Sequence, residues 1–154
     1  MRFITACLCL SFCLPGVALA DDHHMDDNHH TAEIGLSAGP AVVIDEGTFM
    51  SVHVHGVYFI TEWVGVGAGY ERLFGSEAHN TVSVVSQFNL THQWAVILAP
   101  GISFSDVELS SSLHIETSYG FEITHNMHLG PAIEVAVDKE DVHITPALHL
   151  GVGF

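Results

Sequence analysis

Two classes of side chain alternate along LSSSLHIETSYGFEI, residues 109 to 123. Odd positions are apolar or small and include Leu113, Ile115 and Phe121, whereas even positions include His114 and Glu116. Successive side chains of a β-strand point to opposite faces, so period-two alternation is typical of a strand with two different faces. The pattern therefore predicts a strand here.

Similar alternation occurs in seven further segments of the chain. We predict eight strands, at Glu33–Ile44, Phe49–Ile60, Trp63–Leu73, Asn80–Leu90, Trp94–Phe104, Leu109–Ile123, Met127–Asp138 and Val142–Phe154. The links between them are short, so consecutive strands are expected to pair as an antiparallel meander, and eight such strands can close into a barrel. The predicted fold is all-β, an eight-stranded antiparallel up-and-down barrel.

The two faces of these strands decide what surrounds the barrel. One face carries Val, Leu, Ile, Phe and Tyr at nearly every position, while the other is small or polar, as at Gly65, Gly67, Ala95 and Ser103. The second face would make a poor solvent surface but can fill a narrow lumen. We therefore expect the apolar face to contact lipid, with every backbone group paired through closure. A soluble, secreted, lipocalin-like barrel is an alternative.

Outward aromatic residues are expected near the strand ends, as in the girdles of transmembrane barrels. They are Tyr58, Phe88, Trp94, Tyr119, Phe121 and Phe154 at one level, and Tyr70 and Phe104 at the other. Over residues 32 to 154 the chain resembles the small Gram-negative outer-membrane barrels of the OmpA and OmpX type, some of them porin-like. Its ending, HLGVGF, is similar to the carboxy-terminal phenylalanine signal of that family.

The resemblance implies a protein of the cell outer membrane with both termini in the periplasm. It also implies that outer-membrane lipids surround the barrel and that the barrel-assembly machinery recognises Phe154. We expect a monomer.

The first twenty residues have the layout of a secretory signal peptide. Arg2 precedes an apolar run from Phe3 to Leu14, and small residues lead to a cleavage site after Ala20. The run is too short to span a bilayer. We predict a signal peptide at 1–20, a disordered tail at 21–31 and the barrel at 32–154. A lipoprotein site at Cys7 is an alternative.

The charge and motifs of the exported chain narrow its function. Without Arg2 the chain keeps two basic residues against 18 acidic ones, a formal charge of −16, which argues against nucleic acid as a partner. The chain has one Gly-x-Ser-x-Gly match, Gly35 to Gly39, but it lies inside the predicted strand Glu33–Ile44 rather than at the strand-to-helix turn that this motif requires. Phosphate-binding glycine loops and H-E-x-x-H are absent from the sequence, and the strand histidines are expected to point inward. We therefore do not expect an enzyme.

The predicted tail, DDHHMDDNHH, is rich in potential metal ligands. Its candidate ligands are Asp21, Asp22, His23, His24, His29 and His30. After cleavage, the free amine of Asp21, two backbone amides and His23 can form a square plane around Cu(II) or Ni(II), which resembles the amino-terminal site of albumins. His-rich tracts also bind metal more generally. The alternative is a solvated acidic spacer.

A second set of candidate ligands is expected inside the barrel. Antiparallel pairing would place His53 beside Glu71, Glu116 near Glu134, and Glu122 opposite His128, with all of them on the inward face. The candidate Zn(II) ligands of the lumen are His53, His55, Glu71, His114, Glu116 and Glu134. The alternative is a hydrogen-bonded network that only packs the lumen.

These observations predict a non-enzymatic outer-membrane barrel whose His/Asp-rich periplasmic tail binds a transition metal, Cu(II), Ni(II) or Zn(II). Two alternatives stay open. One is a purely structural envelope protein whose tail is a spacer, and the other is a narrow, cation-preferring pore with an acidic lining.

Overall fold

The computed structural model describes residues 30–76, 78–105, 109–139 and 142–154. Its strands are β1 (Ala32–Val43), β2 (Gly47–Thr61), β3 (Val64–Phe74), β4 (His79–Asn89), β5 (Trp94–Phe104), β6 (Leu109–Tyr119), β7 (Phe121–Thr124), β8 (Met127–Val137) and β9 (Val142–Gly153). Their order in the sheet is β6-β5-β4-β3-β2-β1-β9-β8-β7, with an additional pairing of β6 with β8. All pairings are antiparallel, and the β6–β8 pairing closes the sheet into a barrel. Among the described residues, no helix is long and apolar enough to cross a membrane.

The predicted eight-stranded barrel is confirmed, with one difference in the sixth strand. That strand consists of β6 and β7, which are interrupted at Gly120. Ser118 pairs with Ala132 and Phe121 pairs with Leu129, so the register is the same on both sides of the break and places Tyr119 opposite Pro131. Proline has no N–H for the ladder, which explains the interruption. The other predicted strands match the observed ones within two residues at each end.

The barrel has two different ends. The terminal end carries both chain ends of the barrel and the β2–β3, β4–β5 and β7–β8 links, and the loop end carries the remaining links. Two links at the terminal end begin with threonine: the Thr61 hydroxyl accepts hydrogen bonds from the Trp63 and Val64 amides, and the Thr91 hydroxyl accepts them from Gln93 and Trp94. These short links keep consecutive strands antiparallel.

The outer surface of the barrel is apolar along its whole height. At mid-strand positions, Val84 is 65 % exposed, Ile133 53 % and Leu148 57 %. The outward aromatic residues near the strand ends have polar partners: Trp94 Nε1 donates to the Thr117 hydroxyl, and the Tyr119 hydroxyl donates to Gln93. An apolar belt with aromatic residues at its margin is the exterior of a barrel that has lipid as its solvent.

The interior is packed with side chains rather than open. Ala41, Val43 and Leu73, with Phe49 against them, form an apolar cluster at the loop end. A second apolar cluster lies in the terminal half and consists of Val57, Val85, Ile97 and Ala99, with Phe59 packed against it. Between and beside these clusters the lumen is filled by buried histidine, glutamate, serine and threonine side chains. A lumen filled in this way is what an eight-stranded barrel normally encloses.

Candidate metal centre

Strand register brings four of the predicted ligands together in the middle of the lumen. His53 on β2 pairs with Glu71 on β3, and Glu116 on β6 pairs with Glu134 on β8, both as predicted. All four side chains are buried, with 2 % of their surface exposed or less. Because side chains alternate strictly between the faces of a strand, these positions must all face inward once the apolar face contacts lipid.

The carboxylates and imidazoles contact one another across the barrel. His114 Nδ1 lies 2.6 Å from Glu134 Oε1 and 3.2 Å from Glu71 Oε2. His53 Nδ1 lies 3.3 Å from Glu116 Oε2 and 3.9 Å from Glu134 Oε2. We call His53, Glu71, His114, Glu116 and Glu134 the central cluster. Each of its members contacts another member on a strand that is not its neighbour in sequence.

Four further side chains complete this network and were missing from the predicted ligands. His143 Nε2 lies 3.3 Å from Glu71 Oε1, and Ser51 donates a hydrogen bond of 2.6 Å to the same oxygen. His149 Nδ1 lies 3.1 Å from Glu116 Oε1, which also accepts a hydrogen bond from Ser37. Parity of the strands would place all four inward. Ser51 is diagonal to Glu71 on the neighbouring strand. The glutamate partners of Ser37, His143 and His149 lie on strands that are not their hydrogen-bonded neighbours, however, and pairwise strand register does not predict such contacts.

The charge of the central cluster requires compensation. Three buried carboxylates, Glu71, Glu116 and Glu134, share a small volume, and burying unpaired charge is costly. Among the residues that the structure describes, the two basic ones lie elsewhere: Arg72 is outward, with its guanidinium bonded to Asn80 and stacked over Phe74, and Lys139 follows the end of β8. Histidinium ions, protons held on the carboxyl groups or a bound cation would provide this compensation.

Two overlapping groups in the central region have donor atoms close enough to share one ion. His53, Glu116 and Glu134 form one group, and Glu71, Glu134 and His143 form the other. Within each group the donor atoms lie within 4.8 Å of one another. Imidazole nitrogens and carboxylate oxygens are the donors that Zn(II) accepts in proteins. The residue types and their spacing therefore suit a divalent transition metal.

The remaining predicted ligand, His55, and Glu122, which was predicted to face inward, have different surroundings. His55 is buried beside His53, and neither of its ring nitrogens has a hydrogen-bond partner. Glu122 lies opposite His128 as predicted, but it is exposed at the terminal end and does not fill the lumen. The reason is its place in β7, which is at the rim of the barrel.

The predicted tail site falls almost entirely outside the described residues. This holds for Asp21, Asp22, His23, His24 and His29, so the amino-terminal Cu(II) or Ni(II) site stays a prediction, as do the signal peptide and the boundary at residue 20. His30 is described: its Nε2 donates a hydrogen bond of 2.9 Å to the carbonyl of His125 at the terminal end.

Comparison with known proteins identifies the fold. No protein-family model and no curated protein match this chain. Among solved structures, neisserial surface protein A is similar with a TM-score of 0.64, at 13 % identity over 80 % of this chain and 97 % of that one. Ail of Yersinia pestis, in complex with the heparin analogue sucrose octasulfate, has a TM-score of 0.56 at 15 % identity, again over 80 % of this chain and 97 % of that chain.

The N-terminal barrel domain of Pseudomonas aeruginosa OprF is a third similar structure. It has a TM-score of 0.55 at 13 % identity, over 79 % of this chain and 97 % of that chain. The chain has the fold of a small outer-membrane β-barrel. At these identities the likeness concerns the fold alone, and the prediction that the chain is not an enzyme stays a prediction.

Proposed function

We propose that this protein is an outer-membrane barrel that binds a divalent transition metal ion, with Zn(II) as the reference ion, in its lumen. The observation that carries the proposal is the central cluster, in which imidazole and carboxylate donors from β2, β3, β6 and β8 converge. Bound Zn(II) would neutralise the carboxylates and give the buried charge the pairing that it needs.

The location of the protein follows from its exterior. The apolar belt and closed backbone suit a bilayer, and the similar structures include barrels from bacterial outer membranes. Both termini would then lie in the periplasm, with the His/Asp-rich tail beside the terminal end of the barrel. The barrel-assembly machinery would recognise Phe154, and the barrel would act as a monomer.

The tail adds a second class of metal ligands to this proposal. His30 joins the end of the tail to the terminal end of the barrel through its bond to His125. A tail that collects Cu(II), Ni(II) or Zn(II) from the periplasm would raise the metal concentration near the lumen. The Cu(II) or Ni(II) site at Asp21 to His23 depends on cleavage after Ala20.

The main competing function is a structural envelope protein whose lumen is only a hydrogen-bonded network. Two observations favour metal binding over it. Three carboxylates are buried together away from Arg72 and Lys139, and the buried ring of His55 leaves both nitrogens without a hydrogen-bond partner. Buried polar groups are normally hydrogen-bonded, so such a ring is unusual in a network that only packs the lumen. A cation-preferring pore is disfavoured because side chains fill the lumen.

Zinc titration of the full mature protein in detergent tests this proposal. The tail ligands are first removed by changing His23, His24, His29 and His30 to alanine, and stoichiometry is then measured by calorimetry and by metal analysis. We expect Zn(II) binding that depends on Glu134, with Glu134→Gln weakening it by at least about tenfold, since even indirect partners of a metal are worth about 10- to 100-fold.

The matched control is Asp45→Asn, which also removes one carboxylate. Asp45 is exposed in the β1–β2 turn at the loop end and has a φ of 68°, a conformation that asparagine tolerates. Equal zinc binding by the tail-substituted protein and its Glu134→Gln variant would contradict a metal centre in the central cluster and leave the structural function.

A further inference from the structure

A separate set of ligands lies at the terminal end of the lumen. Donor atoms of Glu33 on β1, His128 on β8 and His149 on β9 lie within 4.8 Å of one another. The rings of His128 and His149 stack, with centroids 5.5 Å apart and an angle of 15° between their planes. We call Glu33, His128 and His149 the mouth site. Neither Glu33 nor His128 belongs to the central cluster, so this is a second possible position for a metal ion.

Glycine residues make room for these imidazoles. A Cβ atom at Gly151 would run into the His128 ring, and one at Gly120 would lie 2.6 Å from the same ring. A Cβ atom at Gly35 would run into the His55 ring and approach that of His149 to 2.9 Å. The rings therefore occupy spaces that any larger residue on the facing strands would close.

The mouth site is open to the terminal end. Glu33, His128 and His149 line a small cavity of about 50 Å³, which is large enough for a water-sized species. His128 also lines a wider cavity of about 630 Å³ at the rim, together with His30, His92, Glu122 and His125. A cation that arrives at this rim meets imidazole and carboxylate groups before it meets the packed lumen.

The mouth site is continuous with the central cluster. His149 belongs to the mouth site, and its Nδ1 lies 3.1 Å from Glu116 Oε1 of the central cluster. His55 lies between the two: its ring stacks on His149 with centroids 5.7 Å apart and lies 5.3 Å from the ring of His53. Both nitrogens of His55 are buried and lack partners, so they are available as ligands in this position.

We propose that Glu33, His128 and His149 bind a divalent transition metal at the terminal mouth of the barrel, and that His149 and His55 pass it inward to the central cluster. The transfer is an exchange of neutral imidazole and carboxylate ligands around the ion, with no covalent or redox step. The passage inward rests on the proposed function, whereas the mouth site itself does not.

Equilibrium binding tests the mouth site by itself. The tail-substituted, full-length mature protein carrying Glu134→Gln has a disabled central cluster and is titrated with ZnCl₂. We expect it to retain one Zn(II), and we expect His128→Ala or Glu33→Gln in the same background to weaken that binding by at least about tenfold. The proposed mouth site is wrong if neither change affects zinc binding, or if the tail-substituted Glu134→Gln protein binds no zinc at all.

Loading kinetics tests the passage inward. With Glu134 intact, stopped-flow uptake of Zn(II) is followed against a colorimetric chelator. We expect His128→Ala and His55→Leu to slow the loading of the central cluster by at least about tenfold, His128→Ala to leave the final Glu134-dependent occupancy unchanged, and Asp45→Asn to load at the parent rate. Loading at the parent rate in both histidine variants overturns the passage.

The two proposals fail in different ways. If Zn(II) binding depends on His128 but never on Glu134, the central metal centre is wrong and the mouth site stands. If binding depends on Glu134 but not on His128 or Glu33, the mouth site is wrong and the central centre stands. Heat-modifiable migration in gels confirms that each variant is folded before its binding is interpreted.

Discussion

The two ends of the lumen differ in chemistry although the same strands form both. At the loop end, Ala41, Val43 and Leu73 are almost fully buried and pack against Phe49. At the terminal end, Glu33 and His128 line a small cavity, and His128 is partly exposed and also lines the wider cavity at the rim. Among the described residues, the difference indicates a lumen that is closed at the loop end and accessible at the terminal end, so a ligand of the central cluster would come from the side of the chain termini.

The closed end is the part of this comparison that should be most sensitive to mutation. Leu73 is 1 % exposed, and Leu73→Ala would leave a cavity in the apolar cluster. We expect the free energy of unfolding to fall by about 2 to 5 kcal/mol, as for other buried leucines. Chemical denaturation in lipid vesicles measures it. Leu90→Ala, at an exposed position of the terminal end, is the control, and an equal loss in the two variants would show that the loop end is not tightly packed.

At the accessible end, Gly35 leaves no room for a larger side chain. Gly35→Ala would push a methyl group into the ring of His55 and towards that of His149. We expect a loss of about 1 to 3 kcal/mol in unfolding free energy, because overpacking forces side chains out of position. Zinc loading should slow as well, measured by chelator competition.

Gly56→Ala provides the matched control for that change. Gly56 lies on β2, and a Cβ atom there would have no atom within 4 Å. The substitution should leave zinc loading unchanged. Equal free energies of unfolding and equal zinc-loading rates in Gly35→Ala and Gly56→Ala would contradict the close approach of β1 to the imidazoles.

The smallest effect is expected in the β1–β2 turn at the loop end. Asp45 has a φ of 68°, which side-chain-bearing residues adopt at a cost. Asp45→Gly should change the free energy of unfolding by less than about 1 kcal/mol. Glycine relieves the backbone strain of the folded state, but it also raises the conformational entropy of the unfolded chain, and the two effects oppose each other. Zinc loading should match the parent protein. A large loss of loading would mean that the loop end also gives access to the lumen.

Sequence alone predicted the barrel and the inward residues because both depend on a local rule. Alternation assigns Glu71, Glu116 and Glu134 to one face, and short links fix which strands are neighbours. The pairs His53–Glu71 and Glu116–Glu134 were therefore predictable from hairpin register.

Contacts across the lumen were not predictable in the same way. His149 meets Glu116, and His143 meets Glu71, from strands that are not hydrogen-bonded to each other. These distances depend on strand tilt and on closure of the barrel, which local alternation does not specify. The break at Gly120 was missed as well, because it depends on Pro131 in the partner strand.

The most direct test of the central claim is anomalous X-ray diffraction at the zinc edge from crystals of the full mature protein grown with ZnCl₂. We expect an anomalous peak in the lumen among His53, Glu116 and Glu134 or among Glu71, Glu134 and His143. Peaks confined to the tail or the outer surface, with the central cluster holding only water, would contradict the proposed metal centre.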